Sequence, residues 1–271
     1  MKTTVIRPCS RWGRASLGKL WEYRELFLAL VARDIKVRYR QTVLGALWAV
    51  LQPVTTMLVF WAVFGRLVHV PSEGYPYPLF VLVALLPWLL FANAVAGAGN
   101  SLIGSASLVT KIYFPRLIIP LSSLGANLLD FAVSFVVLSG MLWYYGIEPG
   151  VGVLWVPVLI VGVLILITGL GCLLSALSVA YRDFRYVIPF LMQVWLFATP
   201  VIYPSSIVPE QFRWALFFNP MAGFVEGFRS AVLGRPFDWP AIALSATVAV
   251  VLFAAGIAYF GRVERRLTDI I

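Results

Sequence analysis

The sequence predicts an all-α polytopic membrane protein with six transmembrane helices. Of its 271 residues, 61% are hydrophobic and only 12% are charged, which is more apolar surface than a soluble core needs. The mean hydropathy is +0.90. The apolar residues form continuous runs of about 20, the length of helix that the hydrocarbon core of a bilayer requires. A β-barrel would show shorter, alternating segments, so these runs favour helices.

The stretch 33–53, RDIKVRYRQTVLGALWAVLQP, joins a basic collar to the first apolar run. The collar consists of four basic residues and one aromatic residue: Arg33, Lys36, Arg38, Arg40 and Tyr39. Lysine and arginine side chains stop at the lipid phosphates, and the chain that follows is apolar up to Phe64. This pattern predicts that the chain enters the membrane just after the collar.

Two segments are predicted before the first span. Residues 1–19 are basic and free of acidic side chains, which favours a cytoplasmic tail, although organellar transit peptides have a similar composition. Residues 20–40 carry five large apolar side chains at helical spacing: Leu20, Tyr23, Phe27, Leu30 and Val31. They predict an amphipathic helix in the membrane interface. The alternative is that this helix is a cytoplasmic extension of the first span.

The rest of the chain, 41–271, is predicted to be one six-helix membrane domain. Its spans are 43–64, 78–98, 117–144, 151–179, 187–203 and 241–260. Pro53 falls inside the first span, where a neighbouring helix has to satisfy the carbonyl that proline leaves free. Gly162, Gly169 and Gly171 in the fourth span allow another helix to approach closely.

The connections between the spans differ in length and polarity. Residues 99–116 are too polar to span and too long for a tight turn, whereas 180–186 form a short charged loop. The longest connection, 204–240, is rich in aromatic residues. It predicts short helices that dip into the membrane interface.

The basic residues predict the orientation. Six spans place both termini on one side, and all but four of the 21 basic residues lie in 1–40, 99–116, 180–186 and the C-terminal tail. The four exceptions are Arg66, Arg213, Arg229 and Arg235. Because the side richer in lysine and arginine faces the cytoplasm, both termini are predicted to be cytoplasmic. The same asymmetry explains the net charge of +9 without a nucleic-acid partner.

The chain lacks the motifs of several enzyme classes. It has no GxxxxGK[ST] phosphate loop, no GxSxG elbow and no HExxH sequence. Two cysteines, Cys9 and Cys172, and one histidine, His69, provide neither a disulfide framework nor a metal-ligand set. The loop carboxylates are scattered, which argues against a hydrolase or glycosyltransferase. We therefore expect no catalytic site, metal or cofactor in this chain, and an energy source in a partner.

Asp130 is the only acidic residue inside a predicted span. Ion-coupled transporters bury several ionisable groups near the membrane centre, so a single acid favours a hydrogen bond between helices over a proton relay. Asn127 and Ser134 stand at helical distance from it and share its face.

Aromatic residues are abundant, with ten tryptophans, 19 phenylalanines and 11 tyrosines. Rings inside the spans can pack against lipid, or they can stack on the apolar faces of sugars along a transport path. The candidates for lining such a path are Tyr39, Trp48, Trp61, Trp88, Phe91, Trp195 and Phe197.

Five segments together resemble a known family. They are RDIKVRYRQTVLGALWAVLQP (33–53), KIYFPRLIIPL (111–121), YRDFRYVIPF (181–190), ATPVIYP (198–204) and NPMAGFVEGFR (219–229). In this order, and over nearly the full length, they resemble the ABC-2 type permease subunits that export lipid-linked polysaccharides such as O-antigen, wall teichoic acid and capsule.

The resemblance implies a homodimer in the inner membrane of a bacterium, energised by a separate ATPase subunit that binds ATP and magnesium. It also implies an interface helix matching 20–40 and gate helices within 204–240. The implied cargo is a polysaccharide on a polyprenyl diphosphate lipid. An exporter of a drug or a simple lipid, and a membrane scaffold without transport, are the alternatives.

Two sets of charged residues are candidates for these roles. The collar cations Arg33, Lys36, Arg38 and Arg40 are placed to bind the diphosphate headgroup, or else to anchor the helix to anionic membrane lipids. The ATPase is expected to push on the cytoplasmic surface, with Gly45 as a candidate hinge before the first span. The residues offered to the ATPase are Glu22, Arg24, Glu25, Lys111, Arg116, Arg182, Asp183 and Arg185.

Overall fold

The computed structural model describes residues 21–40, 42, 45–111, 114–209, 211, 216 and 218–264. Within these residues the elements are helices joined by short connections, with no β-strand. Five of the described helices are long and apolar enough to cross a membrane: Gly45–Leu67, Tyr77–Gly104, Ile118–Tyr144, Val151–Ala180 and Trp239–Glu264. The predicted fold class, an all-helical membrane protein, is therefore confirmed.

We number the helices in chain order. They are α1 (Arg24–Tyr39), α2 (Gly45–Leu67), α3 (Tyr77–Gly104), α4 (Ala106–Lys111), α5 (Ile118–Tyr144), α6 (Val151–Ala180), α7 (Phe184–Ala198), α8 (Pro220–Leu233) and α9 (Trp239–Glu264). A 3₁₀ turn at Ser205–Ile207 lies between α7 and α8. The most buried of the long helices is α3, and most of the apolar core surrounds it.

Most predicted span boundaries lie within three residues of the helix ends, but α3 runs six residues past its predicted end. The sequence places 99–116 outside the second span, and 99–104 continue α3 as helix. Asn100 Nδ2 donates to Ala96 O at 3.1 Å, and Ser101 Oγ donates to Ala98 O at 2.6 Å. Because these side chains bond to carbonyls of their own helix, they remain helical although they are polar.

The region of the predicted fifth span contains a short helix followed by irregular backbone. α7 has 15 residues, or about 22 Å, which is less than the ~30 Å of a bilayer core. It nevertheless runs antiparallel to α3. Ile188 packs against Gly99, the Trp195 ring centroid lies 5.2 Å from that of Phe91, and farther along the chain Tyr77 Oη donates to Ile202 O at 2.8 Å. α7 together with 199–203 therefore follows α3 over most of its length.

The helices have two sets of ends, which we call inner and outer after the predicted orientation. At the inner end, α1, α3, α5, α6 and α9 meet in one apolar cluster; its members include Leu30, Leu102, Ile118, Ala176 and Phe260. At the outer end, Tyr77, Phe80 and Val81 of α3 pack against Phe60, Trp61 and Phe64 of α2. The segments predicted to be cytoplasmic, as far as they are described, lie at the inner end.

α1 packs along α5. The predicted apolar stripe of this helix, including Tyr23, Phe27 and Leu30, faces the inner apolar cluster. Protein, rather than lipid, therefore covers the stripe, because the start of α5 offers it apolar partners. Leu28 and Val37 of α1 are exposed.

The carbonyl freed by Pro53 is satisfied by a neighbouring helix. Proline has no N–H, so the carbonyl of Ala49, four residues earlier, lacks its helical partner. Ser134 Oγ of α5 lies 2.9 Å from Ala49 O and 2.8 Å from Asp130 O, and its one proton is shared between them. The prediction that a neighbour must supply this bond is confirmed.

α8 is a short helix buried within the bundle. Every one of its 14 residues except Glu226 is buried, and it packs against α3, α6 and α9. Asn219 caps its start by accepting from the Met221 N–H at 3.0 Å. The sequence predicts short helices within 204–240 and counts Arg229 among the basic residues of the outer side. Arg229 lies inside the short helix α8, where 0% of its surface is exposed.

Candidate functional site

The four collar cations lie on two different faces of α1. Arg33 Nη2 pairs with Asp34 Oδ1 at 2.8 Å within the helix. Arg38 points toward α5, whereas Lys36 and Arg40 are exposed and have no side-chain partner among the described residues. The structure therefore does not bring the four charges together as one cluster.

Arg38 belongs to a polar contact between α1 and α5, which we call the inner seam and define as Arg38, Tyr39, Asn127 and Asp130. Asn127 Oδ1 accepts from Arg38 Nη1 at 3.1 Å and from Nη2 at 3.2 Å. Asp130 accepts hydrogen bonds from Arg38 Nη1 and from Tyr39 Oη. The side chains of Arg38 and Asp130 are 38% and 24% exposed, so the ion pair is only partly removed from solvent.

The environment of Tyr39 favours the neutral phenol. Burial, the hydrogen bond to Asp130 and the charge of that carboxylate together raise the pKa of Tyr39 from 10.0 to about 12, against the opposing effect of Arg38. The hydroxyl therefore keeps its proton at neutral pH and donates it to Asp130. Asp130 occupies an interhelical bonding position, as the sequence predicts, and its charged partner lies 92 residues away in the chain.

The seven candidate path-lining rings are distributed over several environments. Trp88 and Phe91 are 2% and 0% exposed and stack in the core beside Trp195, so they present no surface to a glycan in this conformation. Trp48 and Phe197 are 55% and 54% exposed. The ring of Trp61 is covered by Arg66, whose Cζ lies 4.2 Å from the ring centroid, and Tyr39 is in the inner seam. That these rings line a path stays a prediction.

The residues proposed to meet an ATPase lie at the inner end. The exposed ones are Glu22, Arg24, Glu25, Lys111, Arg182, Asp183 and Arg185. Arg116 differs from them: its backbone N–H donates to Glu264 Oε1 at 3.1 Å, and its Nη1 donates to Glu264 O at 2.9 Å. Arg116 therefore ties the start of α5 to the end of α9.

A second polar site lies at the outer end and was missed by sequence reasoning. We call the pair Glu226 and Arg229 the outer clasp. Arg229 Nη1 pairs with Glu226 Oε1 at 2.8 Å, and Nη2 donates to Pro200 O at 3.0 Å and to Val201 O at 3.2 Å. The guanidinium also lies 3.9 Å from the centroid of the Phe80 ring, a cation–π contact.

The outer clasp satisfies backbone groups where α7 ends. Two side chains from elsewhere in the fold supply further donors, since Tyr77 Oη donates to Ile202 O and Asn219 Nδ2 donates to Ala198 O at 3.1 Å. Glu226 Oε1 accepts from the Ser205 N–H at 3.1 Å. Irregular backbone inside a membrane is tolerated only where protein groups satisfy it, and these bonds meet that requirement.

A cavity of about 400 Å³ adjoins the clasp, between 200–206, α8 and the start of α9. Glu73 and Arg235 form an ion pair in its wall, and Ser206 Oγ donates to Glu73 at 2.9 Å. Asp238 accepts from the Ala241 N–H at 3.1 Å. The charged groups of this wall already bond to one another or to the backbone. This arrangement indicates a role in holding these segments together.

The sequence contains one signal for the clasp. Glu226 and Arg229 stand three residues apart within the apolar stretch NPMAGFVEGFR, and a charge pair at that spacing falls on one helix face. No comparable local signal links Arg38 to Asp130.

Long apolar helices with polar contacts between them define a multi-pass helical membrane protein. The profile of the ABC-2 type transporter family matches residues 25–233, so the chain belongs to that family. It is 32% identical to the O-antigen export system permease protein RfbA of Myxococcus xanthus, over 91% of this chain and 95% of that one.

Two further relatives extend the comparison. An O-antigen export system permease protein RfbA of Klebsiella pneumoniae is 28% identical over 94% of this chain and 97% of its own length. The polysialic acid transport protein KpsM of Escherichia coli is 25% identical over 76% of this chain and 80% of its own.

Proposed function

We propose that this protein is the membrane subunit of an exporter that moves a lipid-linked, O-antigen-like polysaccharide across the bacterial inner membrane. The observation that carries the proposal is its similarity, over nearly the full length, to permeases named for O-antigen export. Two copies form the path, and a separate ATPase subunit binds ATP and magnesium on the cytoplasmic side. The chain itself has no catalytic role.

The proposed topology has six crossings with both termini in the cytoplasm. Five long helices supply five crossings. The sixth is α7 with 199–203, and its support is the antiparallel course along α3, from Ile188 beside Gly99 to Ile202 beside Tyr77. Helix α8 enters and leaves on the outer side, and its burial suits an anchor better than a moving gate.

The partners of the collar cations reduce the number of residues that can bind the diphosphate headgroup. A diphosphate needs cations that are free to bind it. Lys36 and Arg40 are exposed and unpaired within the described part of the chain, while Arg33 pairs with Asp34. We assign the headgroup first to Lys36 and Arg40, with Arg33 at the edge of the same exposed face. Membrane lipid with an anionic headgroup is their other ligand.

Transport in proteoliposomes tests the proposal. The chain is purified with a candidate ABC ATPase subunit and reconstituted with a lipid-linked polysaccharide. Arrival of the glycan on the far side is read with a membrane-impermeant lectin. We expect arrival only when ATP and both subunits are present. ATP-dependent movement of a drug or a short lipid without the glycan would favour the alternative cargo, and failure to bind any ATPase would favour a scaffold.

Charge reversal on α1 tests where the ATPase acts. Glu22→Lys with Glu25→Lys changes two exposed acids and leaves the collar intact. We expect a protein that inserts and dimerises normally but hydrolyses ATP without matching export. Normal export per ATP in this variant would move the contact to α4 and the 180–186 loop.

A further inference from the structure

α5 holds the chain on both sides of the break between α1 and α2. Asp130 binds Arg38 and Tyr39 at the end of α1. One turn later, Ser134 reaches Ala49 in the first turns of α2. Between these contacts Gly45 has a φ of +49°, a left-handed conformation that interrupts the helix. The two helices are therefore discontinuous with each other, yet both bond to α5.

The packing of α1 on α5 is close. A Cβ added to Gly125 would lie 2.4 Å from Val31 Cγ1, so this face of α5 accepts α1 only because a glycine is there. Ser122 Oγ lies 3.5 Å from Asp34 Oδ2. The contact between the helices extends from Val31 to Tyr39, or about 12 Å along α1.

The ion pair in this contact contributes more to positioning than to stability. Partly exposed pairs typically add about 0–1 kcal/mol to stability, and Arg38 and Asp130 are 38% and 24% exposed. An acid inside a span is, however, expensive to keep in a membrane and is rare without a specific use. Bonds from two consecutive residues of α1 to one carboxylate fix the end of that helix against α5.

We propose that Asp130 is the positioning residue of a joint through which displacement of α1 reaches α5 and, by way of Ser134, α2. This inference rests on the proposed function, in which the ATPase acts on α1. In this arrangement the force bypasses the break at Gly45, because α5 connects the two helices laterally. Asp130 itself does not contact the cargo.

The variant Asp130→Asn tests the joint directly. The amide has the same size and still accepts from Tyr39, but it lacks the charge that pairs with Arg38. All four collar cations remain. We expect ATP hydrolysis to persist while export per ATP falls about fivefold, within the range that substitutions along coupling routes produce. The exchanged pair Arg38→Asp with Asp130→Arg should recover part of the coupling, which a purely local packing defect would not.

Glu73→Gln is the matched control. It removes an acid from the Glu73–Arg235 ion pair at the outer end, and the joint predicts an unchanged ratio of export to hydrolysis. An equal fall in this control would mean that loss of any ion pair slows the protein, and the joint would be rejected.

A distance measurement in the otherwise native complex provides a second test. Leu28 of α1 and Val136 of α5 are exposed positions suited to spin labels. In the otherwise native complex we expect the same distance between the labels with and without ATP, because the two helices move together. In Asp130→Asn the distance with ATP should differ from the distance without it.

In the otherwise native complex, an ATP-dependent change in the distance between the two labels of roughly 5 Å, the rise of one helical turn, would overturn the joint. Normal coupling of hydrolysis to export in Asp130→Asn would also overturn it. If Asp130→Asn couples hydrolysis to export normally while Glu22→Lys with Glu25→Lys uncouples them, the joint is rejected and the proposed function stands. Absence of export by the native complex would instead reject the proposed function.

Discussion

At the outer end, Arg229 is completely buried and donates to two backbone carbonyls as well as to Glu226. At the inner end, Arg38 is 38% exposed and, within the described residues, donates to the side chains of Asn127 and Asp130 but to no backbone group. The first arrangement holds irregular backbone by bonding to the carbonyls of Pro200 and Val201. The second joins two complete helices whose backbone bonds are already made. Loss of the outer contact therefore leaves buried backbone carbonyls without a donor and destabilises the fold. Loss of the inner contact mainly changes how two helices move relative to each other.

The largest effect is expected from Arg229→Met. The substitution leaves Glu226 without its cation and the carbonyls of Pro200 and Val201 without a donor. Removing one partner of a buried ion pair lowers stability by about 3–5 kcal/mol. Thermal unfolding in detergent measures this loss of stability. Arg235→Met is the control, and we expect a smaller loss there because Arg235 and Glu73 are 28% and 22% exposed. Equal losses in both variants would remove the distinction between the buried clasp and this partly exposed pair.

Asn219→Ala should have the next largest effect. Asn219 accepts from Trp195 Nε1 and Met221 N and donates to Ala198 O and Thr199 Oγ1. We expect a loss of about 2 kcal/mol, because several buried groups lose their partners together. Asn100→Ala is the control, since Asn100 bonds only to Ala96 of its own helix. A smaller loss at Asn219 than at Asn100 would contradict the importance given to the end of α7.

Ser134→Ala should lower stability by about 1 kcal/mol, the usual contribution of one hydrogen bond. The effect should largely disappear in a Pro53→Ala background, where residue 53 regains the N–H that bonds to Ala49 O. A double-mutant cycle over these positions measures the coupling. Ser139→Ala serves as the control, because among the described residues its hydroxyl bonds to Phe135 of its own helix. Strict additivity of the Ser134 and Pro53 effects would show that Ser134 does not compensate for the missing N–H.

The smallest effect is expected from Tyr39→Phe, and it should depend on pH. Burial first, and then the hydrogen bond to Asp130, raises the pKa of Tyr39 from 10.0 to about 12. The neutral phenol therefore stabilises the fold fully below pH 10, and this effect is lost as the pH rises toward 12. We expect the native protein to be about 1 kcal/mol more stable than the Tyr39→Phe variant at pH 8. The difference should shrink by pH 11; a constant difference at both values would contradict the raised pKa of Tyr39.

Sequence reasoning was most successful where the signal is local. Continuous apolar runs located the helices, the missing N–H of Pro53 required a donor from another helix, and helical spacing placed Asn127, Asp130 and Ser134 on one face. Periodicity does not say what a face meets. It could not show that Asp130 meets Arg38 or that Trp88 and Phe91 lie in the core, although the apolar residues on all sides of α3 are typical of a central helix.

Two outer features were beyond local reasoning for a related reason. α7 ends at Ala198 although apolar residues continue, because Pro200 follows and Thr199 before it is extended. Arg229, Asn219 and Tyr77 supply the bonds that the irregular backbone beyond it needs. Those donors lie in other parts of the chain. Arg229 falls in the connection 204–240, and local reasoning could not show its burial, which depends on α3 and on the end of α7.

Hydrogen–deuterium exchange of the reconstituted complex, with and without ATP, tests the central contrast between the two ends most directly. The peptides to follow cover α1 and 116–130 at the inner end, and 198–205 and α8 at the outer end. The account predicts that nucleotide changes exchange at the inner end, while the clasp and α8 stay protected in both states. Exchange that changes in α8 while the inner seam stays constant would contradict it.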